Sequence, residues 1–227
     1  MKFTKIFALC TALLLCIFAL GACGDKEDGP IGGDPLSRDT APAKEPMSVA
    51  DMTPYEIKDD VTYFADIEIA DHGTITVQLD QKSAPITVAN FATLASNGFY
   101  DGLTFHRIIE GFMMQGGDPK ADGTGGSDRP IKGEFMYNGV DNLLPHLRGT
   151  ISMARRGDPA YNSATSQFFI VHKNYTSLDG HYAAFGRVTE GMEIVDAICE
   201  AAEPIDGNGL IAYSNQPVIE TITIREG

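Results

Sequence analysis

One stretch near the middle of the chain constrains the fold more than any other. It runs Phe105-His106-Arg107-Ile108-Ile109-Glu110-Gly111-Phe112-Met113-Met114-Gln115-Gly116-Gly117-Asp118, or FHRIIEGFMMQGGD. Two short apolar runs, FHRII and FMMQ, flank Glu110-Gly111, which predicts two strand segments around a tight break. Arg107 sits in the first run and Gln115 in the second, with Phe112, Met113 and Met114 between them. A permanently charged guanidinium beside apolar surface suits a site that grips a greasy group and polarises something next to it. The same residues also read as a solvated strand face backed by ordinary core.

The pattern continues on both sides. Residues 61–69 alternate as a strand, Asp71-His72-Gly73 makes a turn, and residues 74–79 return with Ile75, Val77 and Leu79 on one face. Ser83-Ala84-Pro85 opens a helix with proline in its first turn. Val88, Phe91, Ala92 and Ala95 give it an apolar stripe, and Asn97-Gly98 ends it. A second helix is predicted at about 192–200, with Ile194, Val195 and Ile198 on one face. Further strands are predicted at 149–154, 166–171, 184–188 and 218–224. Pattern alone therefore describes a mainly β, antiparallel domain of about eight strands and two helices, either a closed barrel or a sandwich.

The N-terminus bears on location. Lys2 and Lys5 precede an apolar run from Ile6 to Leu20 that is short for a membrane span and reads as an export signal. It ends in Leu20-Gly21-Ala22-Cys23, which resembles a bacterial lipobox. This implies a signal peptide at 1–22 and a lipid on Cys23, with the protein held by lipid on the extracytoplasmic face of a bacterial cell membrane. Residues 23–58 contain Pro30, Pro35, Pro42, Pro46 and Pro54, carry much charge and have no apolar period. They are expected to be a flexible linker ahead of a domain at 59–227. Cys10 and Cys16 would leave with the signal, so Cys199 alone remains and no internal disulfide is expected. The formal charge of −14 argues against nucleic acid as a partner. No Cys/His/Asp spacing resembles a metal site, and a monomer is the default expectation.

FHRIIEGFMMQGGD closely resembles the central signature of the cyclophilins, a family of peptidyl-prolyl cis-trans isomerases. Further similar segments follow in order: Gly123-Thr124-Gly125-Gly126, Ser152-Met153-Ala154, Ser166-Gln167-Phe168-Phe169-Ile170, Leu178-Asp179-Gly180 and Phe185-Gly186-Arg187-Val188. The resemblance spans about residues 61–227. It implies a closed eight-stranded antiparallel β-barrel capped by two α-helices, binding proline-containing polypeptides and needing no cofactor. Behind an export signal, the implied clients are exported proteins. A proline-peptide-binding module or chaperone with incidental turnover is the alternative.

The resemblance also implies roles. Arg107 is the catalytic cation, Gln115 grips substrate backbone, and Phe112, Met113, Phe169 and Leu178 form a proline pocket. Gln167 is a second polar contact, while Ala154 and Arg155 pair their backbone with the substrate strand. Tyr182 stands where many members carry a pocket histidine. His106, beside the arginine, lines the substrate site but is mainly structural. Where the family often has tryptophan before Leu-Asp-Gly, this chain has Ser177, which leaves sensitivity to cyclosporin open. Arg155 and Arg156 open a loop more basic than in animal members, and they are expected to favour acidic substrate flanks.

Overall fold

The computed structural model describes residues 47–227. The expected signal peptide, Cys23 and the linker as far as residue 46 lie outside the described residues. Within them, eight strands and two α-helices follow the predicted order: β1 Tyr63–Ile69, β2 Gly73–Leu79, α1 Pro85–Ser96, β3 Phe105–Ile109, β4 Met113–Gly116, β5 Thr150–Met153, β6 Phe168–Val171, β7 Ala184–Glu190, α2 Met192–Ala201 and β8 Ile219–Glu226. All ladders are antiparallel, in the order β3-β4-β6-β5-β7-β2-β1-β8.

The expected closure is only partial. β3 and β8, the two ends of the sheet, share no ladder. They meet through the bridge Thr104↔Val218 and through backbone bonds such as Phe105 N–H to Pro217 O (2.9 Å) and Ile219 N–H to Leu103 O (2.7 Å). The sheet is thus a curled barrel stitched at one corner. α1 packs against β8, and α2 against β2 and β4.

Strand alternation fills the interior. Tyr63, Ala65, Ile67 and Ile69 of β1 point inward and are buried, while the residues between them are more exposed. Phe91 of α1 meets Tyr100, Phe168 and Phe185 at centroid distances of 5.2–5.4 Å, and Phe105 adds an edge contact to Phe168. Burial of such rings is the main stabilising term of a core with no disulfide. The start of α1 has no side-chain cap of its own. Glu134 supplies one from a distant loop, accepting the N–H groups of Ile86 (3.1 Å) and Thr87 (2.7 Å). A carboxylate suits that end of the helix dipole.

The expected linker ends earlier than residue 58. Residues 49–51 form a turn of 3-10 helix, and Val49 and Met52 are buried in the main core. Ser48 Oγ donates to Asp128 (2.7 Å), and Tyr55 N–H donates to Thr93 Oγ1 (3.1 Å). Proline and charge content masked two apolar anchors that have no period because they belong to no regular element.

A bulge in β3 sets the orientation of the site. Phe105 faces Gly116 and Arg107 faces Gln115, so Phe105 and His106 together oppose one residue. Both are buried, at 0% and 1%, and Arg107 is turned to the outer face. Gly116 is required there, since a Cβ would lie 2.7 Å from Thr104 O. Neither ring nitrogen of His106 has a hydrogen-bond partner among the described residues. Burial pulls its pKa down to about 4, against the opposing pull of Asp118 and Asp122. His106 is therefore held neutral when folded and protonates more readily when unfolded. The stability tied to it is complete above pH 6.5, and declines as pH falls from there toward 4. We expect urea unfolding at pH 7 and pH 4.5 to differ by on the order of 2–3 kcal/mol through this group. His106→Leu should flatten that difference.

Candidate active site

The outer face of β3, β4 and β6 carries a row of functional side chains fixed by register. Arg107 pairs with Gln115, Gln115 with Phe169, and Phe169 with Ser152 on β5. The row beside it pairs Ile109 with Met113 and Met113 with Val171. Adjacent residues of one strand therefore serve two different cores. Phe168 and Met114 enter the barrel interior, whereas Phe169 and Met113 join Val171 in a separate outer cluster. That cluster is partly covered by Phe112, Ala154, Leu178 and Tyr182.

These side chains surround a cavity of about 160 Å³. Arg107, Phe112, Met113, Gln115, Ala154, Arg155, Phe169, Leu178 and Tyr182 all line it. Nine of the eleven residues predicted from the sequence are thus brought to one small, largely apolar hollow. Gln167 stands just beside it, accepting a hydrogen bond from Gln115 Nε2 at Oε1 (2.8 Å). Gln167 Nε2 donates to the carbonyls of Gly123 (3.1 Å) and Gly125 (2.7 Å), so the glycine-rich segment is tied to the wall. A second groove of about 480 Å³ opens there, sharing Gln115, Ala154 and Arg155 with the cavity. His106 lines neither; the bulge commits it to the interior.

Arg107 is held by backbone rather than by a carboxylate. Its Nε donates to Asn208 O at 2.7 Å. Nη1 makes only long contacts, 3.4 Å to Gln115 Oε1 and 3.7 Å to Met113 Sδ, and Nη2 has no partner among the described residues. Its carbon lies 5.9 Å from the Phe112 ring centre. Burial lowers the arginine's pKa, with Tyr182 and Asp206 acting in the opposite direction. A guanidinium remains a cation through such a shift. The fork is therefore aimed, charged and largely unspent.

The supporting loop was not evident from the sequence as part of a site. Ile108 N–H donates to Gly209 O (2.8 Å), and Ile211 N–H donates to His106 O (2.9 Å), so residues 208–211 run along β3. Gly209 has φ +88°, and a Cβ there would lie 2.5 Å from Ile109 Cγ1. Asp206-Gly207-Asn208-Gly209 has the composition of a turn, but nothing in it points to Arg107, about one hundred residues earlier. A second missed element is a buried chain behind Phe169. His146 Nδ1 lies 2.9 Å from Asp179 Oδ1 and Nε2 lies 3.1 Å from Ser152 Oγ, with the ring stacked 6.0 Å from Phe169. Burial lowers the pKa of His146, although Asp179 opposes this. Its Ser-His-Asp order has no nucleophilic use, because Ser152 is fully buried. Its effect is to tie the Leu178-Asp179 turn to the cavity floor.

The Arg155 side chain is not free to favour acidic substrate flanks. Its guanidinium lies over Phe135 (5.1 Å), Tyr161 (5.4 Å) and Tyr182 (4.8 Å), donates to His181 O (2.8 Å) and pairs with Asp158 (2.7 Å). The side chain is 4% exposed. It is a structural wall, already neutralised, and has no free charge for an acidic substrate. Arg156 remains at the rim of the larger groove. Ala154 N–H donates to Gln167 O (2.9 Å).

Comparison with known proteins agrees with this geometry. The family described as cyclophilin type peptidyl-prolyl cis-trans isomerase/CLD matches residues 64–226. A peptidyl-prolyl cis-trans isomerase of Synechococcus elongatus is 47% identical over 128 residues, which is 56% of this chain and 82% of that protein. Peptidyl-prolyl cis-trans isomerase B of Bacillus subtilis is 46% identical over 125 residues, 55% of this chain and 82% of that protein. The crystal structure of a Cryptosporidium parvum cyclophilin type peptidyl-prolyl cis-trans isomerase superposes with a TM-score of 0.64 at 29% identity, covering 73% of this chain and 99% of that one. The same protein crystallised in the presence of the dipeptide Ala-Pro gives a TM-score of 0.63. A curled antiparallel barrel with a small apolar hollow beside an unspent arginine, matched by the family across most of its length, makes this chain a member of the cyclophilin-type peptidyl-prolyl cis-trans isomerases.

Proposed function

We propose that this isomerase turns X-Pro bonds of exported polypeptides from a lipid anchor at Cys23, with Arg107 as its catalytic cation. The observation that carries the site assignment is the Arg107 fork: fixed at Nε, weakly engaged at Nη1 and facing an apolar hollow. Rotation about a peptide bond breaks amide conjugation against a barrier of about 18–20 kcal/mol. No covalent bond need break and no proton need move. As the bond twists, the prolyl nitrogen becomes more pyramidal and basic, and the acyl carbonyl swings away. A proline ring held against Phe112, Met113, Phe169 and Leu178 fixes one side of the bond, so that only the acyl side turns. Arg107 donates to the developing lone pair or to the displaced oxygen. That interaction is stronger in the twisted state than in either planar one, which is the condition for catalysis. Gln115, oriented by Gln167, supports the same fork and offers its remaining capacity to the substrate backbone.

Arg107→Ala should lower kcat/KM by about 10²–10³-fold, as for loss of one preorganised donor. Peptide affinity should fall far less. NMR exchange spectroscopy on an Ala-Pro-Phe peptide checks both. Acceleration that survives the substitution would remove Arg107 from the mechanism. Peptide binding without acceleration by the unsubstituted enzyme would mark a proline-binding module.

The location is supported by sequence: Lys2 and Lys5, the apolar run and Leu20-Gly21-Ala22-Cys23. The chain as a whole is acidic, so an anionic membrane surface would repel it and the lipid would do the tethering. Expressed in a bacterium fed radiolabelled palmitate, the full chain is expected to take up label and sediment with membranes. Cys23→Ser should abolish both, and unchanged labelling would exclude this anchor. The enzyme is read as acting as a monomer.

A further inference from the structure

The cavity wall does not stop at Phe112. The ring of Tyr175 lies 4.4 Å from that of Phe112, tilted by 46°, and remains 43% exposed. Phe112 is therefore shared. One neighbour is Arg107, 5.9 Å from its centre, and the other is an aromatic side chain partly in solvent. A ring so placed is only partly covered within the chain, and its exposed part is available to a ligand.

Its backbone is fixed on both sides. Tyr175 N–H donates to His146 O (2.8 Å), and Tyr175 O accepts from Leu178 N–H (3.2 Å). His146 is itself held by Asp179 and Ser152 behind Phe169, so the ring and the cavity floor share one support. Ser177, the residue before Leu178, is small and exposed and leaves the approach to the ring open. The geometry also separates the two flanks of a bound chain. The larger groove shares Gln115, Ala154 and Arg155 with the cavity but is not lined by Phe112, Leu178 or Tyr175. An extended peptide with its proline in the hollow thus has one flank over the groove and the other toward Tyr175. At about 3.3 Å per residue, the first or second neighbour of the proline reaches the ring.

We infer that Tyr175 is a specificity-determining residue, forming with Phe112 an aromatic shelf for a large apolar side chain that flanks the proline on the side away from the groove. The inference rests on the reading that the proline occupies the cavity. A pre-positioned ring contributes binding at little ordering cost, so its effect belongs in KM. An added aromatic contact supplies about a three- to tenfold preference.

The test uses the enzyme with an alanine-flanked proline pentapeptide and with versions carrying phenylalanine one or two positions before or after the proline. The unsubstituted enzyme is expected to favour phenylalanine on one flank only, through KM, by about three- to tenfold. Tyr175→Ala should erase that preference, and Tyr175→Phe should keep it. A preference that persists in Tyr175→Ala, a loss that falls equally on every peptide or in kcat, or an enzyme with no flank preference would each overturn the inference. Failure of the unsubstituted enzyme to turn over the alanine-flanked peptide would instead overturn the reading of the cavity on which it rests.

Discussion

Consecutive side chains on a β-strand point to opposite faces, and in this enzyme that alternation separates what holds the fold from what does the chemistry. Phe168 completes the aromatic interior with Phe91, Tyr100 and Phe105, while Phe169, one residue on, floors the cavity. Met114 and Met113 divide in the same way. The site therefore needs no separate scaffold, because it is the reverse side of the barrel wall. The device depends on register. A one-residue slip in β3 would send Arg107 into the core and His106 to the cavity. The bulge that places Phe105 and His106 together opposite Gly116 is what prevents it.

The electrostatics follow the same economy. A carboxylate partner would neutralise Arg107, whereas a carbonyl orients it and leaves the charge available. Asn208 O does this, on a loop that Gly209 allows to approach β3 closely. Arg155 shows the opposite outcome within the same cavity. Enclosed by three aromatic rings and paired with Asp158, it packs as a wall. Two arginines of similar placement thus differ in function because of what their forks already hold.

Much of this was legible in the sequence where it is local. Period-two alternation located the strands, the stripe from Val88 to Ala95 located α1, and the fourteen-residue signature brought Arg107, Phe112, Met113 and Gln115 together. What was not legible depends on long-range geometry. The partial closure is made by the bridge between Thr104 and Val218 and the backbone bonds around it. The support of Arg107 comes from a turn about one hundred residues away. His106 looked like a site residue from its neighbour, and only the bulge shows that it faces inward. Val49 and Met52 were hidden in a segment whose composition is that of a linker. Phe168 and Phe169 are identical in type, and composition assigns both to core; the family resemblance singles out Phe169, and the two clusters they join give the physical reason.

That division gives the most direct test. Phe169→Leu and Phe168→Leu remove the same atoms from neighbouring positions, and each variant can be measured for both peptide exchange by NMR and urea unfolding. The account predicts that Phe169→Leu loses most of its turnover and, because Phe169 packs in the smaller outer cluster, less stability than Phe168→Leu. It predicts that Phe168→Leu keeps its turnover in the folded protein but loses on the order of 1–3 kcal/mol of stability. Equal losses of both properties in the two variants would contradict it.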